Sequence, residues 1–399
     1  MCAYFQNDTQ FRLSIFYGDV MNKSEIIKAL PTPCYVIDEQ ALINNLEALH
    51  YVEEKAGCQI LLAQKAFSSY CTYPLIAQYL SGTTASGIFE ARLAHEEMGE
   101  RQIHVFSPAY KDSDFDELVK ICDHIVFNSF SQWKHFRTRI PADCRVQFGL
   151  RINPGYSEIE TEIYNPCAQN SRLGITVDNF QENELDGISG LHFHTMCEQG
   201  ADTLERTLSV VEEKFGKYLR KMKWLNFGGG HHISRPDYDR EKLIRLVKYF
   251  REKYDLEIFI EPGEAVAIDA GFLVTTVLDI TENGMQLAIV DTSAACHMPD
   301  VLEMPYRPMI TDSELPGVLP FTYRLGGPTC LAGDIIGDYS FEKPLSAGDK
   351  LVFTDMAMYS IVKNNTFNGM PLPSIYLLKA DGTTELVKQF GYEDFKRRL

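Results

Sequence analysis

Eight short apolar, β-rich runs punctuate the first two-thirds of the chain: Ile60–Ala63, Thr83–Ala85, Ile103–Phe106, His124–Phe127, Val146–Ile152, Ile188–Phe193, Trp224–Phe227 and Glu257–Ile260. Amphipathic stretches separate them, with apolar residues three or four apart, as in Leu42, Leu46, Leu49 and Leu204, Leu208, Val211. Strands alternating with helices imply parallel pairing, and eight such units imply an α/β fold of the (β/α)8 TIM-barrel type. A doubly wound open sheet is the competing architecture.

After residue 270 the pattern changes. Phe272–Ile280 and Gln286–Val290 are β-rich and flank Asn283-Gly284, a hairpin turn signal. Leu351–Thr354 and Ser374–Leu378 read as further strands, and Cys34–Ile37 as a strand contributed from the other end. The expected organisation is a barrel over residues 40–270 and an all-β domain formed by residues 22–39 with 271–399. Residues 1–21 are expected to be a disordered extension, with Met21 opening a more ordinary start.

Charge and composition narrow the class. Lys and Arg number 38 against 55 Asp and Glu, a formal charge of −17, which argues against nucleic-acid binding and suits cationic ligands. No apolar run approaches the ~18 residues that cross a bilayer. Ten cysteines are scattered without a Cys-x-x-Cys pair. That usage fits reduced thiols, so the expected setting is the cytoplasm, with neither a disulfide frame nor a bound metal.

The barrel reading makes a demand: reactive residues should lie just after strands, at the C-terminal rim. Lys65 follows the first run, Ser86 the second, Arg151 ends the fifth and His194 follows the sixth. Gly228-Gly229-Gly230 follows the seventh and Glu261-Pro262-Gly263 the eighth. A glycine triplet lets backbone N–H groups approach a phosphate, although a tight turn needs glycine equally. Lys65 ends an otherwise apolar strand, where an ammonium is costly unless paired or neutralised; forming a Schiff base removes the charge. Lysine, phosphate cradle and acid together suggest pyridoxal 5′-phosphate. Glu261 would keep its ring nitrogen protonated, and His194 would lie against the ring.

At these residues the chain resembles the fold-type III, alanine-racemase-like pyridoxal-phosphate decarboxylases, which include ornithine, arginine and diaminopimelate decarboxylases. The resemblance is carried by Ala63-Gln64-Lys65-Ala66-Phe67, Ala85-Ser86-Gly87, Leu150-Arg151-Ile152-Asn153-Pro154-Gly155, Gly190-Leu191-His192-Phe193-His194 and Asn226-Phe227-Gly228-Gly229-Gly230. Ile260-Glu261-Pro262-Gly263, Gly327-Pro328-Thr329-Cys330, Asp355-Met356-Ala357-Met358-Tyr359 and Thr366-Phe367-Asn368-Gly369 continue it. It implies that Lys65 carries the cofactor, His194 stacks on it and Glu261 pairs with the ring nitrogen. It also implies that Gly228, Gly229, Gly230 and Gly263 hold the phosphate. Cys330 and Tyr359 match residues that such enzymes supply across a homodimer, the cysteine guiding protonation and the tyrosine contacting phosphate.

The departures narrow the substrate. Glu264 stands where many relatives have arginine, Cys197 where many have serine, and Leu331 where diamine-forming relatives place an acid. These features resemble the branch that decarboxylates carboxynorspermidine or carboxyspermidine to norspermidine or spermidine in polyamine biosynthesis. Such a substrate offers two ammonium groups to well-spaced carboxylates, for which Glu264, Asp300 and Asp291 are the candidates. The alternatives are a diaminopimelate or other basic amino-acid decarboxylase, a non-catalytic regulator, and a metal-dependent hydrolase using His192, His194, His231 and His232. The last leaves Lys65 and Cys330 without roles.

Overall fold

The computed structural model describes residues 17–399, with side chains from residue 23. The expected 1–21 extension therefore lies mainly outside the described residues, and its last positions open the helix Tyr17–Lys28. The chain divides into two compact units: Ile43–Val266, and the residues up to Leu42 together with Ala267–Leu399.

Strand β1 (Cys34–Asp38) belongs to the second of these. In the first, β2 (Gln59–Ala63), β3 (Gly82–Ala85), β4 (Gln102–Phe106), β5 (His124–Phe127), β6 (Gln147–Arg151), β7 (Gly190–His192), β8 (Trp224–Asn226) and β9 (Glu257–Ile260) follow in order. Each pairs in parallel with the next, and β2 pairs with β9, so the sheet closes into a barrel. Barrel strands are covered on both faces, which explains why they read as continuous apolar runs and not as alternating ones. Leu61, Val126, Trp224 and Phe259 fill part of the interior. A Cβ on Gly190 would lie 1.9 Å from the Trp224 ring, so this strand position must be glycine to admit the indole.

The helices carry the expected apolar stripes. Helix Ala201–Leu219 buries Leu204, Leu208, Val211 and Phe215, and helix Arg240–Tyr254 begins where the Asp239 side chain accepts the Lys242 N–H at 2.8 Å. One unit departs from the repeat: between β6 and β7 the chain makes only short 3-10 turns. Among the described residues no helix is long and apolar enough to cross a membrane.

The second unit is a nine-stranded mixed sheet. Strands β10 (Gly271–Glu282) and β11 (Gln286–Val290) form the expected hairpin; β12 (Ser313–Glu314), β13 (Phe321–Gly326), β14 (Ile335–Phe341), β15 (Lys350–Thr354), β16 (Ser374–Leu378) and β17 (Thr384–Lys388) follow. The order is β12-β14-β13-β11-β10-β1-β16-β17, with β15 also on β10. Two pairings, β1 with β16 and β11 with β13, are parallel. Tyr35, Leu273, Val290, Leu325, Tyr339 and Phe353 lie in its core. Short helices at Ala294–His297, Asp300–Glu303 and Tyr392–Lys396 make this unit predominantly, not wholly, β.

Candidate active site

Lys65, Thr84, Ser86, Phe106, Arg151, His192, His194, Gly229 and Glu261 line one pocket at the C-terminal ends of the barrel strands. The sequence reading expected four of these, Lys65, His194, Gly229 and Glu261, to share a site, and the fold brings them together. Lys65 remains accessible, but only within the pocket; burial by the surrounding protein lowers its pKa, and the Arg151 guanidinium pushes in the same direction.

The imidazole of His194 is held in one form by the backbone. The Gly229 N–H donates to Nδ1 at 3.0 Å, and Nε2 faces the Lys65 Nζ at 3.4 Å. Burial, then the charges of Lys65 and Arg151, lower the His194 pKa well below its ordinary value. A neutral ring that accepts at Nδ1 carries its proton on Nε2. The contact with Lys65 is then favourable when the amine is unprotonated and accepts.

Glu261 is buried and lies one residue past β9. Burial alone would raise its pKa; His192, Asn226 and Thr84 outweigh that and bring it below the ordinary value. Asn226 Nδ2 donates to Oε1 at 2.7 Å, while Asn226 Oδ1 accepts the Gly228 N–H at 2.8 Å. His192 Nε2 lies 3.3 Å from Oε2. Arg151 donates to the His194 carbonyl at 3.2 Å and packs on Phe106, 4.5 Å from the ring centroid. Its burial lowers its pKa to about 10.

The glycine triplet has a structural reason that is independent of any ligand. A Cβ on Gly228, Gly229 or Gly230 would lie 2.3, 2.4 or 2.1 Å from the carbonyl oxygens of Phe193, Glu261 and Met196 respectively. Two of the three amides are also taken, Gly228 by Asn226 and Gly229 by His194. Among the described residues the Gly230 N–H has no acceptor. Gly263 packs as closely: its Cβ would lie 2.6 Å from that of Ala66.

A second cluster lies on the same unit. Glu198, His232 and Glu264 bring a ligand atom each to within 4.8 Å of one another, and His232 Nε2 is 3.2 Å from Glu264 Oε2. Burial, then the negative charge of Glu264, raise the Glu198 pKa. Glu198 holds a left-handed backbone, φ 53°. Sequence reading singled out Glu264 but passed over Glu198, because a lone acid in a loop usually marks solvated surface.

The remaining expected residues belong to the sheet unit. Cys330 is exposed at the tip of a loop pinned by buried Asp334, which accepts from Ser293 Oγ at 2.8 Å and Thr329 Oγ1 at 2.6 Å. Tyr359 is half-buried with φ 51°, a strained conformation for an aromatic residue. Asp291 accepts from Thr275 Oγ1 and Thr32 Oγ1, each at 2.6 Å, and from the Thr276 N–H at 2.9 Å; both of its oxygens are committed to the sheet. Asp300 is paired with Lys363.

The donor set fits pyridoxal phosphate on its chemistry: an amine of lowered pKa, a buried carboxylate held ionised, and a neutral imidazole beside the amine. Three comparisons bear on the same point. Residues 34–357 match the family model described as pyridoxal-dependent decarboxylase, C-terminal sheet domain. The chain is 44% identical over 380 residues to carboxynorspermidine/carboxyspermidine decarboxylase of Campylobacter jejuni, covering 92% of this chain and 98% of that one. It is 41% identical over 375 residues to carboxyaminopropylagmatine decarboxylase of a Synechocystis species, covering 94% and 96%. The crystal structure of the Campylobacter jejuni carboxynorspermidine decarboxylase complexed with norspermidine superposes with a TM-score of 0.87 at 42% identity, covering 93% of this chain and 100% of that one.

Proposed function

The chain belongs to the pyridoxal-dependent decarboxylase family, and we propose that it removes the α-carboxylate of carboxynorspermidine or carboxyspermidine, yielding norspermidine or spermidine. The observation that carries this reading is the 44% identity, over almost the whole of both chains, to an enzyme named for those substrates. The family membership makes it a carboxy-lyase that uses pyridoxal phosphate.

Bound in the pocket, the cofactor supplies an electron sink for the pair released when the C–C bond to CO2 breaks. The chain's own residues do the rest. Lys65, its pKa lowered, would hold the cofactor covalently through Nζ. His194 packs on one face of the site and keeps its Nε2 proton directed at Lys65. Glu261, anionic, would keep the ring nitrogen protonated. Arg151 and the Gly230 N–H supply positive potential for a phosphate.

Glu264 is the first acid assigned to a substrate ammonium, now with Glu198 beside it. A cation between them would relieve the repulsion of two carboxylates brought close together. Asp300 and Asp291 enter the same assignment from the sheet unit, but each would first have to release partners it already holds. By resemblance, the protein is a homodimer with Cys330 and Tyr359 completing the partner's site, and its cysteine usage suits the cytoplasm. Mixing Lys65→Met with Cys330→Ala chains tests this: shared sites restore one active site per mixed dimer, and separate sites restore none.

The relative that acts on carboxyaminopropylagmatine gives a second reading, in which the distal group is a guanidinium. One experiment separates them. CO2 release is compared by kcat/KM for carboxyspermidine, carboxynorspermidine, carboxyaminopropylagmatine, diaminopimelate and ornithine, with Lys65→Met as control. A preference of tenfold or more for a carboxylated triamine supports the proposal. Preference for the guanidinium substrate moves the chain to the second reading, and preference for diaminopimelate overturns both.

A further inference from the structure

His192 has no role in the reaction as described above, yet its surroundings give it one. It ends β7 at 2% exposure, in register with Arg151 on β6 and Asn226 on β8. Beside it are the Phe106 ring at 5.5 Å and, on the strands beyond, buried His104 and His124, with the charges of Glu261, Arg151 and Lys65 also acting on it. Among the described residues neither Nδ1 nor Nε2 makes a hydrogen bond of full geometry. Its close polar neighbour is Glu261 Oε2, at 3.3 Å.

As a packing residue this is a poor choice. Burying an imidazole without a well-formed hydrogen bond costs about 1–3 kcal/mol, which leucine or phenylalanine at the same place would avoid. The contact with Glu261 is what an apolar residue could not supply. Burial keeps His192 neutral, so Nε2 can carry a proton and donate it.

The other carboxylate oxygen is fixed independently. The Gly228 N–H can only donate, so Asn226 must present Oδ1 to it and Nδ2 to Glu261 Oε1. Thr84 also bonds the carboxylate, so Asn226 on Oε1, Thr84, and the His192 ring 3.3 Å from Oε2 together constrain its plane.

We propose that His192 is a positioning residue: through Oε2 it fixes, together with Asn226 on Oε1, the orientation in which Glu261 meets the ring nitrogen of the bound cofactor. This rests on the assignment of Glu261 to that nitrogen.

The test measures affinity, not turnover. Protein freed of cofactor is titrated with pyridoxal phosphate and with its deaza analogue, in which a C–H replaces the ring nitrogen. The ratio of the two dissociation constants reports the carboxylate–nitrogen interaction alone. Wild type is expected to prefer pyridoxal phosphate, and Glu261→Gln to lose most of that preference. His192→Leu should reduce the ratio at least tenfold, whereas His192→Gln, which keeps a donor of similar reach, should retain most of it. His192→Asn keeps polarity but is too short to reach Oε2, so it should behave as leucine does. Should the leucine variant fold poorly, the Asn–Gln pair carries the same contrast.

A ratio unchanged in both the Leu and Asn variants, with Glu261→Gln still losing it, overturns the role of His192 alone. Equal weakening of both ligands means that His192 supports the fold only. A wild type that does not distinguish the two ligands overturns the assignment of Glu261, and this proposal with it.

Discussion

The Gly229 N–H donates to His194 Nδ1 at 3.0 Å, and this one bond sets the protonation of the residue opposite it. An amide can only donate, so Nδ1 must accept and the neutral ring's proton sits on Nε2, facing Lys65 at 3.4 Å. That contact favours the free amine of Lys65, the direction in which burial and Arg151 also push it. The sign for cofactor capture follows: a lowered pKa leaves the nucleophilic form populated at lower pH. The rate constant for covalent capture, followed by absorbance, should rise with pH along a curve centred below the ordinary lysine value of ~10.5. Lys65→Arg cannot deprotonate, and after borohydride treatment its mass should show no attached cofactor. A capture curve centred at or above the ordinary value would contradict the neutral-amine reading.

Gly230 offers a test of the loop's packing that needs no ligand. Its φ is 86°, and an added Cβ would lie 2.1 Å from the Met196 carbonyl oxygen. Alanine there carries the left-handed penalty of about 1–2 kcal/mol and a backbone collision worth about 1–3 kcal/mol more. The cofactor-free Gly230→Ala protein should therefore unfold at lower denaturant concentration than wild type. Gly284→Ala, also at positive φ but with open space around the Cβ, should lose only the backbone share. Equal losses in the two would mean that the close approach to Met196 is not a constraint.

The barrel was legible because its strands are covered on both faces, so each appears as an uninterrupted apolar run. Lys65, His194 and Glu261 were legible because they stand directly after such runs. Strands β13 and β14 were missed: exposed positions break up β13, and Gly337-Asp338 interrupts β14. Strand β17 is almost wholly exposed and carries no burial signal. Asn226 and Thr84 were missed for a different reason, since they act through Glu261 and nothing in their spacing announces it. The glycine triplet reads as a phosphate cradle from sequence, but two of its amides serve Asn226 and His194. Only coordinates could show that.

Asp334 holds the loop that carries Cys330. Its carboxylate accepts from Ser293 Oγ, Thr329 Oγ1 and the Ala295 N–H, and its own N–H donates to the Leu331 carbonyl at 2.9 Å. Asp334→Ala removes one acceptor from three donors, which should cost about 2–4 kcal/mol and loosen the turn between Gly327 and Asp334. Asn at this position keeps one acceptor oxygen and should fall between. Hydrogen exchange across residues 327–334, with the denaturant midpoint, checks both parts. Faster exchange confined to this loop is the expected result; unchanged protection there would show that the carboxylate does not hold the turn.

Several buried imidazoles make the fold sensitive to acid in a calculable direction. Burial pushes His124, His231 and His297 down to about 4. An unfolded chain takes up these protons near pH ~6.5, whereas the folded protein refuses them until much lower pH. Between those limits the unfolded state binds more protons, so stability falls as pH is lowered through the window and is level above it. A histidine that refuses one whole proton contributes a slope of about 1.4 kcal/mol per pH unit. His231→Gln removes one such group. Its stability, measured by denaturant unfolding, should change less steeply than wild type between pH ~4.5 and ~6, by up to that slope. Above pH ~7 the two curves should run parallel, offset only by the change in packing. Curves parallel throughout would mean that His231 already titrates normally in the folded protein, and that its burial does not exclude the proton.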